Sequence, residues 1–118
     1  TPQDVALLDS RKAVSFSRQI NVPVLGIVEN MSGLACPHCG EDIDLFKVGG
    51  GERAAKELGV PFLGRIPIDP GVVHKADLGQ PFVTDPKDSL AKTAFLQLIQ
   101  ELLDQLELSQ EEVNPQIQ

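Results

Sequence analysis

The 118-residue sequence has no tryptophan and no tyrosine, and only five phenylalanines and one methionine. Its core must therefore be mainly aliphatic. No apolar run approaches the roughly 18–20 residues that a membrane-spanning helix needs, so no membrane association is expected. A charged-then-apolar leader is also lacking, which points away from secretion and toward a cytoplasmic location. Basic residues are outnumbered, with 10 Lys+Arg against 17 Asp+Glu and a net charge of −7. The isoelectric point near 4.6 argues against a nucleic-acid partner, which needs a basic surface. There is no phosphate-cradling Gly-x-x-x-x-Gly-Lys-[Ser/Thr] segment. The chain opens at Thr1-Pro2 instead of a methionine, as expected of a piece of a longer protein.

Hydrophobic residues make up 42%, enough for a packed core in a chain of single-domain length. The acid excess is concentrated at one end. Residues 101–118 hold Glu101, Asp104, Glu107, Glu111 and Glu112 and no base, leaving the first 100 residues near neutral with 12 acids against 10 bases. This end reads as a solvated helix face leading into a flexible acidic tail over 109–118.

Helical and strand patterns alternate along the chain. Thr1 is a candidate N-cap with Pro2 at the first helical position and Asp4 complementing the helix dipole. Val5, Leu8, Ala13, Phe16 and Ile20 then predict a buried helix face ending at Asn21. The run Val22-Pro23-Val24-Leu25-Gly26-Ile27-Val28 has no alternation, which suits a strand of a parallel sheet. Residues 31–50 form a long loop of the kind that usually carries function. A short helix from Glu52 to Leu58 closes at Gly59, and Pro61 to Pro67 is a second strand. Asp69-Pro70 caps a helix through Leu78, and Pro81 to Pro86 is extended. Asp88, or Asp85, caps a long last helix with an apolar stripe at Leu90, Ala94, Leu98, Leu102 and Leu106. This order predicts parallel α/β units, and two strands alone suggest part of a larger doubly wound domain. Such a part would expose apolar edges and self-associate.

The two cysteines, Cys36 and Cys39, lie in Cys36-Pro37-His38-Cys39-Gly40. Three readings are open: a metal knuckle, a dithiol redox centre, and two inert thiols. In a knuckle, Pro37 presets the turn, Gly40 adopts positive φ, and backbone N–H groups point at the sulfurs. A redox pair belongs at a helix N-terminus, which lowers its thiol pKa. Here Gly40 and the acids Glu41, Asp42 and Asp44 follow, which nucleate a helix poorly and should raise a thiol pKa. The context therefore favours the knuckle. Two thiolates are half of the usual set of four. His38 is expected to be exposed, and His74 has no ligand partner nearby in sequence. Two copies meeting on a two-fold axis would complete four sulfurs, for either zinc or a 4Fe–4S cluster.

Several strings in order carry a resemblance: Thr1 to Ala6, Asn21 to Ser32, Cys36 to Gly40, Gly49 to Glu52 and Ile66 to Pro70. They resemble the Mrp/ApbC family of iron–sulfur cluster carrier ATPases, relatives of MinD and the nitrogenase iron protein, over about residues 1–100. The resemblance implies the C-terminal half of a parallel-sheet P-loop NTPase domain, a Rossmann-like three-layer α/β/α fold spanning residues 1–108. It implies a homodimer bridging a labile 4Fe–4S cluster through Cys36 and Cys39, with apo iron–sulfur proteins as acceptors. A zinc-bridged dimerisation module and a dithiol oxidoreductase are the alternatives. Asn30 would read the adenine edge, since an amide both donates and accepts. A turn-capping Asn is its plainer reading. Pro67, Ile68 and Asp69 would lie against the adenine ring, with an N-cap role equally open for Asp69. The family's phosphate loop and magnesium-binding acids are not in this chain, so ATP hydrolysis is expected of the intact parent protein and not of this chain alone. Gly49-Gly50-Gly51 could hold an anion at a helix start, although a flexible lead-in to the helix is the plainer reading.

Overall fold

A computed structural model describes residues 1–113, with side chains described to Glu107. Helix α1 (Asp4–Gln19) leads to strand β1 (Ile27–Asn30). A small ribbon follows, β2 (Leu34–Ala35) and β3 (Asp42–Ile43), then helix α2 (Gly50–Leu58) and strand β4 (Phe62–Ile66). Helix α3 (Pro70–Asp77), a 3-10 turn at Phe82–Thr84 and helix α4 (Leu90–Val113) complete the order. The boundary expected between 108 and 109 thus falls inside α4, and 114–118 of the expected tail lie outside the described residues.

β1 and β4 pair in parallel, with Val28 opposite Gly64, Glu29 opposite Arg65 and Asn30 opposite Ile66. The register slips between Ile27 and Val28, opposite Leu63. Gly26 makes room there, since a Cβ on it would stand 2.6 Å from Leu63 Cγ. The β1–α2–β4 unit is the parallel α/β connection expected from the pattern. α2 packs on both strands, α1 packs on α2, and α4 packs on β4. Ala54 and Ala55 are fully buried on α2, and their small side chains let the helix approach the sheet closely. Among the described residues no helix is long and apolar enough to cross a membrane.

Several local expectations shift. The cap of α1 is Gln3, not Thr1, and Pro2 is a fully buried residue ahead of the helix. Its buried positions are Leu7 and Val14, whereas Val5, Leu8, Phe16 and Ile20 are exposed. The apolar periodicity was real, but the face turned to α2 is the neighbouring one. Asn21, at φ 58°, ends the helix as expected. β1 begins at Ile27 instead of Val22 and extends through the polar Glu29 and Asn30. The extended stretch expected at 81–86 contains the 3-10 turn, whose Phe82 meets Phe95 edge to face at 5.3 Å. Ser89 caps α4 by accepting from the Lys92 amide at 3.2 Å, the role expected of Asp88 or Asp85. On α4, Ala91 and Leu98 are buried while Leu90, Leu103 and Leu106 stay exposed. The radius of gyration, 16.6 Å, exceeds the ~13.5 Å typical of a closed domain this long, in keeping with these uncovered apolar faces.

Candidate functional site

The C-terminal ends of two parallel strands place the expected residues side by side. Asn30 closes β1, and Pro67, Ile68 and Asp69 follow β4 directly. Beyond the strand pairing the two segments stay tied, by Ser32 N to Ile66 O at 3.0 Å and Ile68 N to Gly33 O at 2.8 Å. Open α/β sheets bind their ligands at such an edge. Asn30 is exposed, and its Oδ1 accepts from the Met31 amide at 2.9 Å, the local cap that its residue type favours. Its side-chain N–H₂ group adds two further donors at the strand end. Asp69 accepts from the Gly71 amide at 2.8 Å and so caps α3.

The loop at 31–50 is an ordered element, not an irregular excursion. Leu34 pairs with Ile43 and Ala35 with Asp42 in an antiparallel ribbon. Cys36 N bonds to Glu41 O, and Gly40 N to Cys36 O, both at 2.9 Å, so the cysteine turn caps the ribbon. Gly40 has φ 74°, the left-handed value the turn requires. Cys36 is half-buried, Cys39 is exposed, and both are free thiols. The Cys36 pKa is lowered, first by the His38 amide, then by the amide and thiol of Cys39, with Gly40 adding to them against a small opposing effect of burial. N–H groups aimed at a sulfur are the expected feature of a knuckle. The upward push expected from Glu41, Asp42 and Asp44 is not among the causes of the shift, and the backbone amides of the turn set its direction. After the second cysteine comes Gly40 and then β3, not a helix. His38 is exposed, and His74 lies exposed on α3. Among the described residues, no three His, Cys, Asp or Glu side chains converge on a metal-sized site. Among the described residues the pair therefore stands as two thiols with no such third group beside them. A shallow cavity of about 180 Å³, lined by Ala35, Pro37, Pro67, Ile68, Asp69 and Leu90, joins the knuckle to the segment after β4.

One group escaped the sequence reading. Glu29 is only 2% exposed, in strand β1 of the parallel pair. Its Oε1 accepts from Ser32 Oγ and from the Gly49 amide at 2.9 Å, and Oε2 from the Gly51 amide at 2.6 Å. Arg65, its cross-strand partner, stands 3.5 Å away through Nε and also pairs with Glu52. Burial raises the Glu29 pKa, but the bonds from Ser32, Gly49 and Gly51 and the charge of Arg65 outweigh it, so it lies below its ordinary value. The anion held at the Gly49–Gly51 helix start is thus the protein's own carboxylate. A signal was available: a lone acid in an apolar strand must be paired when buried. Its partners, far apart in sequence, were not evident.

Comparison with known proteins accords with this geometry. Solved structures with the same fold include the nucleotide-binding protein of Archaeoglobus fulgidus in complex with ADP. It is 34% identical, with a TM-score of 0.58, over 78% of this chain and 40% of that one. The cell division ATPase MinD of Pyrococcus furiosus is 26% identical with a TM-score of 0.63, over 87% and 39%. The parallel sheet with its flanking helices is accordingly part of an α/β domain of the P-loop NTPase class. Residues 1–103 match the ParA family model, described as NUBPL iron-transfer P-loop NTPase, and the chain belongs to this family. Similar curated proteins are the iron-sulfur cluster carrier proteins of Pyrococcus horikoshii, 50% identical, and Methanocaldococcus jannaschii, 43% identical. These matches span 90% and 91% of this chain and 36% of each relative. The cytosolic Fe-S cluster assembly factor NBP35 of Kluyveromyces lactis is 45% identical over 88% of this chain and 32% of its own length. The chain thus spans about a third of the length of these relatives.

Proposed function

We propose that this chain is the cluster-binding and adenine-side portion of an ATP-dependent iron–sulfur carrier. Cys36 and Cys39 of two copies together hold one 4Fe–4S cluster, which is cargo for apo iron–sulfur acceptors. The observation that carries this reading is the knuckle: two free thiols on a ribbon tip, one exposed, facing backbone amides, with no third ligand among the described residues. Such a half-site is completed by a second copy, and its exposure suits cargo that must leave again. The relatives named as iron–sulfur carriers support the same reading.

On the nucleotide side, Asn30 would meet the adenine edge and Pro67, Ile68 and Asp69 its ring face. Their adjacency at the strand ends supports this, as does the ADP bound in the Archaeoglobus protein. Phosphate and magnesium contacts are assigned to no residue of this chain. A cytoplasmic setting, where free thiols stay reduced, suits the exposed pair.

The test is anaerobic reconstitution with iron and sulfide. Roughly one 4Fe–4S cluster per two chains is expected, with a dimer by light scattering. Cys36→Ser and Cys39→Ser should each abolish it. A cluster retained in both variants, or stoichiometric zinc that iron does not displace, would overturn the carrier reading.

A further inference from the structure

The cysteine ribbon leaves the end of β1 at Ser32 and meets the start of α2 at Gly49, and both ends bond to the same oxygen, Glu29 Oε1. We infer that Glu29 is the positioning residue of the cysteine ribbon, a buried clasp that closes residues 33–48 at their base and so fixes where Cys36 and Cys39 are presented. The inference deepens the cluster-carrier reading and rests on it for its consequence, though not for the clasp itself.

The bonds divide between two jobs. Ser32 Oγ and the Gly49 amide close the loop on Oε1, while the Gly51 amide on Oε2 ties that closure to the first turn of α2. Arg65 comes across from β4 and carries on to Glu52 of α2. One carboxylate thereby joins both strands, a helix start and both feet of the ribbon. A carboxylate suits this place because it presents acceptors only, and every group facing it is a donor. The glycines are matched to it. A Cβ on Gly51 would stand 3.0 Å from Glu29 Cβ, and Gly49 has φ 86°.

The other ties of residues 33–48 are weaker or local. Gly33 O accepts from the Ile68 amide at 2.8 Å, at the foot itself. Lys47 pairs with Asp4 at 3.0 Å, but both side chains are exposed, and exposed ion pairs hold little. The bonds between β2 and β3, and within the cysteine turn, hold the ribbon to itself and not to the sheet. Releasing the clasp should therefore free the ribbon as a unit while its tip stays formed.

Glu29→Gln is near-isosteric but keeps only one acceptor oxygen and no charge, so it cannot serve the two feet of the ribbon and the Gly51 amide together, and every bond it keeps is no longer charge-assisted. Ser32→Ala removes one foot without touching the carboxylate. Leu63→Ala, in the sheet core and away from the clasp, is the control for general destabilisation. The reduced, metal-free 118-residue chain is subjected to limited proteolysis within 33–48, with the melting temperature recorded for each variant. Cleavage there should rise about tenfold in Glu29→Gln and a few-fold in Ser32→Ala, the range expected for losing one charge-assisted hydrogen bond or less. After reconstitution, the cluster of Glu29→Gln should be lost to a chelator about tenfold faster than the parent's.

Wild-type cleavage in a folded Glu29→Gln overturns the clasp. Loop cleavage in Leu63→Ala as high as in Glu29→Gln at matched stability overturns it as well. If Glu29→Gln does not fold, Ser32→Ala decides alone, and cleavage equal to the parent's counts against the proposal. The proteolysis arm needs no metal, so it stands apart from the reconstitution test of the carrier reading. A loosened ribbon with unchanged cluster lifetime would keep the clasp and remove its role in cluster retention.

Discussion

The sheet end and the ribbon tip are neighbours in this protein, yet they are built on opposite terms. At the sheet end, around Glu29, every polar atom of a buried group is matched by a donor. At the tip, Cys39 is exposed, and the polar groups that face sulfur are backbone amides of the same turn. The first region tolerates little change because a buried carboxylate without partners is costly. The second is held by five residues of its own and leaves its reactive atoms outward. The carrier function proposed above would use this division, with a firm base and an open tip.

The comparison breaks most severely at its centre. Glu29→Ala should lower the unfolding free energy by about 1.5–3 kcal/mol at neutral pH, the scale of hydrogen bonds to a charged group, read by urea denaturation. This difference should depend on pH with a definite sign. The Glu29 pKa is lowered in the folded state, so its contribution is fully present above its ordinary value of 4.5. It fades as pH falls through the lower folded value. Parent and variant stabilities should therefore converge in acid, and a gap that widens there would contradict the assignment.

A somewhat smaller break is expected at Gly50→Ala. The new Cβ would stand 2.6 Å from Pro2 O and 2.8 Å from Leu7 Cδ1, where α1 meets α2. About 1–3 kcal/mol of overpacking should outweigh the gain in helix propensity, visible as a lower melting temperature. The smallest effect belongs to Lys47→Ala. It removes an exposed pair with Asp4 and should cost less than about 1 kcal/mol, measured by the same denaturation. A large loss there would mean that the ribbon is tied to α1 more firmly than its exposure implies.

Much of this was legible beforehand, for local reasons. Gly59 ended α2 because left-handed φ is cheap only without a Cβ, and Asp69 capped α3 through its own side chain. The cysteine turn was legible because it is specified by five consecutive residues. Less could be read where distant segments decide. Leu7 and Val14, not Val5 and Phe16, were buried, because α2 alone determines which side of α1 it covers. β1 was placed too early, since its limits follow from pairing with β4 and not from apolar character.

From its residues alone, this protein's family, its parallel α/β order and its Cys36–Cys39 turn were determined, because each is written in short contiguous strings. Tertiary structure decided where the buried acid Glu29 finds its donors, and that Asn30 and Pro67–Asp69 share an edge. Those facts depend on residues twenty to forty positions apart meeting in space, and only the closing of the β1–α2–β4 unit brings them within hydrogen-bonding range.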